Sequence, residues 1–360
     1  MSARGRSVHI GNHLLVAMQR VKHAGLVAWL LGLSAVIGLT VWSGVDAVGH
    51  AVASVGFGVV FVVLARAVAV AVAGAGWWLL FPPALRPQLR TCVLLRFVRE
   101  ATNVLLPMAQ IGGDLIGARL LSFRAVPGAL AAASVIVDVL LQAATQFLFA
   151  ILGLLVLLAL GADRALAGGA AIGLAAAALL LAGFYLAQRG SGQRLLRSAV
   201  GRLTGDRKWR VLGAIDSVYQ YLAMIYAARS SLVVSSVVHL MGWIVGAVEV
   251  LIVFHFMGHP VGFAEALVIE SLMHAVRGAA FAIPGALGAQ EGGLVLLCAA
   301  FGIPPEQAVA LSLVKRAADL VLGVPGLVGW HFLERGRIMS VHLRSAQLRQ
   351  EPVDLRSRDR

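Results

Sequence analysis

Residues 99–114 read REATNVLLPMAQIGGD, and residues 277–291 read RGAAFAIPGALGAQE. Each opens on an arginine, reaches a proline seven or eight residues later, and closes on glycines and a carboxylate. In the first, Pro107 leads to Gly112, Gly113 and Asp114; in the second, Pro284 leads to Gly285, Gly288 and Glu291. Proline removes a helix hydrogen bond and clashes with the preceding turn, and glycine loosens the backbone, so both clusters should break a helix.

Outward from the two breaks the chain is apolar. It has 360 residues, 59% hydrophobic and 13% charged, with a mean hydropathy of +0.87. Soluble domains carry about 25% charged residues, so most soluble folds are excluded. A spanning helix needs about 20 apolar residues. The runs 24–45, 53–80, 128–160, 165–187, 230–256 and 306–333 qualify, while 97–123 and 263–301 are interrupted. The expected fold is all-α, a polytopic helical membrane protein with about 6–8 spans. The abundant glycine, 40 residues, suits close packing of membrane helices. Cys92 and Cys298 match no zinc, CxxC or haem spacing and read as buried apolar residues.

The flanks of the two breaks correspond. A span precedes each (53–80 and 230–256) and a span follows each (128–160 and 306–333). Asp138 in the first trailing span has a counterpart in Asp319 of the second. Loop charges place the entry of the first segment on one side of the membrane and that of the second on the other. That is the pattern of an inverted repeat, as in many transporters; chance similarity of two Gly/Pro-rich segments is the alternative. Residues 263–283 and 285–301 are each nearly long enough to cross, so a broken segment either re-enters or crosses twice.

The net charge of +13 does not point to nucleic acid, because the basic residues sit in short segments between apolar runs. Arg86, Arg90, Arg96 and Arg99 follow the second run, seven basic residues lie between Arg189 and Arg210, and seven more lie between Arg335 and Arg360. The opposite loops, near Asp46, Asp163 and His259, carry only Arg164. The asymmetry assigns both termini and segment 188–229 to the cytoplasm, facing anionic headgroups. The chain divides into a basic N-terminus (1–23), a first membrane half (24–187), a basic loop (188–229), a second membrane half (230–333) and a basic tail (334–360). The run from 24 reads as a retained helix rather than a signal peptide. Within the loop, 209–226 has apolar residues at spacings of three and four and reads as an amphipathic helix on the cytoplasmic face, anchored by Trp209; a short soluble hairpin is the other reading.

Charges occur where hydrocarbon is expected: Arg66, Glu100, Asp114, Arg119, Asp138, Glu249, Glu270, Arg277, Glu291, Lys315, Arg316 and Asp319. At about 3 kcal/mol each, exposing all of them to lipid would exceed the roughly 5–15 kcal/mol that holds a domain together. Most must therefore pair, face a wet cavity or sit at the interface. Arg316 and Asp319 are spaced to bond locally, and Glu100 adjoins Arg99. Glu249 and Glu270 read as structural ion pairs. His239 and His274 read as packing residues. His255 and His259 have a ligand-like spacing, but Gly258 and Pro260 oppose a helix there, so no metal is assigned. No cofactor is expected either: there is no GxxxxGK[ST], HExxH or GxSxG pattern.

The stretches REATNVLLPMAQIGGDLIGARLL (99–121) and IESLMHAVRGAAFAIPGALGAQEGGLVLLCAAFGIPPEQAVALSLVKRAADLVLGVPGL (269–327) resemble the flippase-like transmembrane family that includes the membrane region of lysylphosphatidylglycerol synthase. The resemblance rests on P-x-x-x-x-G-G-D and P-G-x-L-G-x-Q-E, covers about residues 20–335, and is closer to the hopanoid-biosynthesis-associated branch. It implies a bacterial inner-membrane lipid transporter whose substrate is a hopanoid or an anionic or aminoacylated phospholipid, working beside lipid-biosynthesis enzymes. No aminoacyl-transferase domain is expected after the last span, so that activity is not carried over. The family's membrane charges map onto Asp114, Glu291 and Arg316. In this reading Arg119, Arg277 and Arg316 contact the headgroup, with Asp114 and Glu291 beside them in the cavity. Glu100, Asp138 and Asp319 form coupling or structural pairs. An intramembrane enzyme acting on headgroups through paired carboxylates, or a non-catalytic scaffold, are the rivals.

Overall fold

The computed structural model describes residues 30, 31, 33–106, 112–161, 164–201, 206–280, 283 and 286–350, with side chains left undescribed at 164–166, 206–208 and 335–350. The N-terminal segment 1–23 and the helix-breaking residues Pro107, Pro284 and Gly285 lie outside this set.

Every regular element among the described residues is helical, which makes this a polytopic helical membrane protein. In chain order they are α1 (Leu33–Trp42), α2 (Val45–Val55), α3 (Gly58–Trp78), a 3-10 turn (Pro83–Leu85), α4 (Leu89–Leu105), α5 (Gly112–Ser122), α6 (Gly128–Ala159), α7 (Arg164–Ala187), α8 (Gly190–Val200), α9 (Asp206–Ala227), α10 (Arg229–Phe256), α11 (Phe263–Ala279), α12 (Ala289–Ala299) and α13 (Pro305–Gln350).

Helices α3, α6, α7 and α10 are long and apolar enough to cross a membrane, and the bent pair α1–α2 is a fifth candidate. The expected run 24–45 does not join the next span directly. Gly44, at φ 86°, turns the chain by 96° into α2, which packs against α13. Helix α13 has the length to cross at 46 residues, but Lys315, Arg316 and Asp319 lower its hydropathy. Those charges sit on interior contacts rather than facing lipid.

Each interrupted segment contributes two helices among the described residues. The first is a 17-residue helix (α4), a break and an 11-residue helix (α5); the second repeats those lengths in α11 and α12. Gly288, at φ 78°, turns the chain into α12. The Glu291 carboxylate then accepts the Gly288 N–H at 2.7 Å, closing that helix start.

Small residues set the helix spacing. Helices α3 and α10 run antiparallel, and a Cβ on Gly58 would lie 2.6 Å from Phe256, one on Gly76 2.8 Å from His239. Gly326 of α13 meets Ala101 of α4, and Gly153 of α6 meets Ser271 of α11. Two large apolar cores result among the described residues, with a smaller third cluster at Phe149, Ala247 and Leu267. One gathers Val62, Phe254, Ile269, Leu294 and Leu311; the other gathers Trp77, Cys92, Leu121, Leu130 and Ile225. Between them, near the middles of α3, α6 and α10, lies a layer of charge.

The loop segment is a helical hairpin, α8–α9, docked on the bundle. Leu222 and Ile225 of α9 are buried against α6, while Trp209 stays 71% exposed. Segment 209–226 is helical, and apolar residues expected to lie on the membrane face, Leu222 and Ile225, serve the protein core instead.

Candidate functional site

The charged layer resolves into three networks. In the first, fully buried Arg99 on α4 bonds Asp114 of α5 through Nη2 at 2.7 Å and Nε at 2.9 Å. Its Nη1 lies 2.7 Å from Asp138 of α6, and its guanidinium stacks over Trp77. Arg99 fits because α5 presents Gly113 and Gly117: a Cβ on Gly117 would lie 2.6 Å from the Arg99 side chain. Arg96, one turn away, reaches Glu100 at 3.1 Å and Gln142 at 2.7 Å. Gln142 in turn donates to Asp138, which His239 of α10 faces at 3.1 Å.

In the second network, Arg66 of α3 grips Glu249 of α10 with two bonds, at 2.8 and 2.7 Å, and Asp319 of α13 at 2.6 Å. Lys315 of α13 bridges Glu270 and Glu249, and His274 meets Glu270 at 3.1 Å. In the third, fully buried Glu291 accepts Arg316 Nε at 2.8 Å and the Ser312 hydroxyl at 2.7 Å.

The first two networks wall a common cavity of about 310 Å³. Its lining includes Arg66, Arg96, Glu100, Asn103, Asp114, Gln142, Gln146, His239, Trp243, Glu249, Glu270, His274 and Arg277. At about 30 Å³ per water, it has room for about ten waters or for a small polar headgroup. Such a wet chamber is where hydrocarbon-hostile charge and broken backbone can be kept at membrane depth.

The sequence-derived residues separate into groups. Asp114, Glu100 and Arg277 line the cavity; Asp138 and Asp319 stand behind it, each pairing with a lining side chain. Gly112 and Gly113 are the first two residues of α5 itself, and Gly288 precedes α12. Glu291 and Arg316 come together but in the separate third network, away from the cavity lining. Arg119 is 66% exposed and pairs with Glu334 at 3.1 Å. It does not join the cavity. Asp319 is not bonded to Arg316, its neighbour on the helix; the two point to different partners, Arg66 and Glu291. Glu100 pairs with Arg96 rather than with the adjacent Arg99.

Sequence reasoning passed over Asn103, Gln142, Gln146 and Trp243, counted Arg96 as a basic loop residue, and gave His239, His274, Glu249 and Glu270 packing or ion-pair roles without a cavity. The signal for the α6 residues was present: Asp138, Gln142 and Gln146 recur every fourth position on one face of an otherwise apolar helix. Among the lining cations, Arg277 is distinct. It is half-buried and makes no hydrogen bond or ion pair with the described residues.

Comparison with curated proteins gave no match, and comparison with solved structures gave none. The family model described as the lysylphosphatidylglycerol synthase TM region matches residues 29–326, which span the α1 to α13 bundle, the cavity and all three charge networks. The chain therefore belongs to the lysylphosphatidylglycerol synthase TM region family.

Proposed function

We propose that the protein carries a polar-headed lipid between the leaflets of a bacterial inner membrane, in association with hopanoid or related lipid biosynthesis, without changing the lipid chemically. The observation that carries this reading is the charge-lined cavity between apolar helices, with Arg277 in its wall and making no hydrogen bond or ion pair with the described residues. An arginine without a hydrogen-bonded carboxylate in such surroundings is costly unless a ligand or water completes it. A phosphate or carboxylate on a headgroup does so, while Glu100 and Asp114 offer partners to an amine. The tails stay in lipid.

Movement of one half against the other exposes the chamber to each leaflet in turn. Support for two inverted halves comes from the matched helix lengths on either side of the breaks and from the corresponding carboxylates Asp138 and Asp319. The basic loop and tail favour cytoplasmic termini, and enzymes that make the cargo would dock there.

The test uses the purified protein in liposomes with a trace of fluorescent lipid and a membrane-impermeant quencher. The quenched fraction should rise from one leaflet to both. An unchanged fraction for hopanoid, anionic and aminoacylated lipids, from protein shown to be folded, counts against transport. A mass change in the lipid would favour the enzymatic rival.

A further inference from the structure

We propose that the groove between α7, α8 and α9 holds one anionic phospholipid, at a site separate from the central cavity. The groove has a volume of about 710 Å³ and an apolar lining that includes Phe184, Leu196, Val211, Ile215, Val218 and Leu222. Leu222 and Ile225 bind α9 to the bundle, while Val211 and Ile215, nearer its N-terminus, line the groove and stay half-buried. Leu195 and Leu196 of α8 and Trp209 of α9 are left 73%, 49% and 71% exposed, so the hairpin presents apolar surface beside the membrane-crossing α7. Lipid tails reach such a groove by lateral diffusion, which makes them its fitting occupant.

The charge around it selects the headgroup. Arg210 lies in the groove wall and makes no hydrogen bond or ion pair with the described residues. Next to the groove is a polar recess of about 550 Å³ lined by Arg189, Arg197 and Asp216. Gln188 and Tyr219 border both spaces. That shared wall is fixed: the Tyr219 hydroxyl donates to the Ala187 carbonyl at 2.7 Å, and the Tyr226 hydroxyl to Gln188 at 2.5 Å. Among the described side chains of the hairpin region, Arg189, Arg194, Arg197 and Arg210 face a single carboxylate, Asp216. Asp216 is already held by Arg197 at 2.9 Å. An uncharged or zwitterionic head would leave that excess uncompensated, whereas a phosphodiester with no amine neutralises it.

The experiment reconstitutes the full chain in vesicles of phosphatidylcholine or phosphatidylglycerol with identical acyl chains, each with a trace of the same lipid carrying a photoreactive acyl group. Adducts are mapped by mass spectrometry. Phosphatidylglycerol should label residues 184–222 about tenfold more than phosphatidylcholine. The double variant Arg194→Gln, Arg210→Gln, whose side chains are exposed and hold no buried partner, should erase most of that preference. Leu196→Trp, at a half-exposed position in the groove, should lower labelling by both lipids. Arg277→Gln, in the central cavity, should leave the groove labelling unchanged. Equal labelling by the two lipids, or a preference that survives loss of both arginines, overturns the proposal.

Discussion

Asp138 of α6 stands 3.1 Å from His239 of α10, so a carboxylate of the first half meets a base of the second. The reciprocal contact joins Arg66 of α3 to Asp319 of α13 at 2.6 Å. Helices α6 and α13 thus each receive a basic side chain, from α10 and α3 respectively. The two carboxylates are the ones that the sequence offers as counterparts, one in the helix after each break.

These two carboxylates should not be equally costly to lose. Asp138 is fully buried and faces Arg99, Arg96 and His239 at once. Asp138→Asn leaves fully buried Arg99 with Asp114 alone, at a cost of about 3–5 kcal/mol. Asp319→Asn leaves Arg66 with its two-bond grip on Glu249 and should cost roughly half as much or less. Unfolding of both variants in mixed micelles by titration with a denaturing detergent measures the difference; equal losses would refute the ranking.

A second expectation concerns space rather than charge. Gly117→Ala places a methyl 2.6 Å from Arg99 Cγ and Cδ, and Arg99 cannot yield because Asp114, Asp138 and Trp77 fix it. Overpacking of this kind costs about 1–3 kcal/mol. Gly168→Ala on α7, with open space around it, should instead gain about 0.5–1 kcal/mol of helix stability. Thermal midpoints of the two purified variants should move in opposite directions.

Helix positions and both breaks were legible in the sequence because hydropathy and proline–glycine clusters act locally. Charge pairing was not. Arg316 and Asp319 are spaced to bond along their own helix, yet α12 and α3 offer them better-placed partners, Glu291 and Arg66. Arg119 has the same residue type and neighbourhood as a cavity arginine, but the turn of α5 points it outward to Glu334. Both outcomes depend on the rotation of one helix against another, which sequence spacing does not carry. Gln142 and Gln146 could have been found from their four-residue spacing to Asp138, had polar neutral residues been weighed with charged ones.

For Arg277 the stability and transport readouts should separate. With no hydrogen-bonded partner among the described residues to orphan, Arg277→Gln should change the unfolding midpoint within about 0.5 kcal/mol. Lipid exchange should fall about tenfold or more, since a charge-assisted bond to a headgroup is worth roughly 1.5–3 kcal/mol. Arg277→Lys, keeping charge but losing the planar fork, should recover part of the rate. Loss of folding in the glutamine variant would instead mark Arg277 as structural.

The docked hairpin should carry an alkaline dependence of stability. Burial pushes the Tyr226 phenol up to about 12, with Arg189 opposing the shift in part. The neutral hydroxyl is the form that donates to Gln188. Because the folded value lies above the ordinary phenol value near 10, this contribution is complete below about pH 10 and disappears as pH rises through about 12. Tyr226→Phe removes the hydroxyl at every pH. It should lower stability by about 1 kcal/mol at neutral pH and show a shallower decline than the parent protein above about pH 10. Thermal midpoints of both proteins across the alkaline range, in the same detergent, measure the two slopes. Parallel slopes would mean that the phenol ionises alike in the folded and unfolded chain, and that α9 does not hold it away from water.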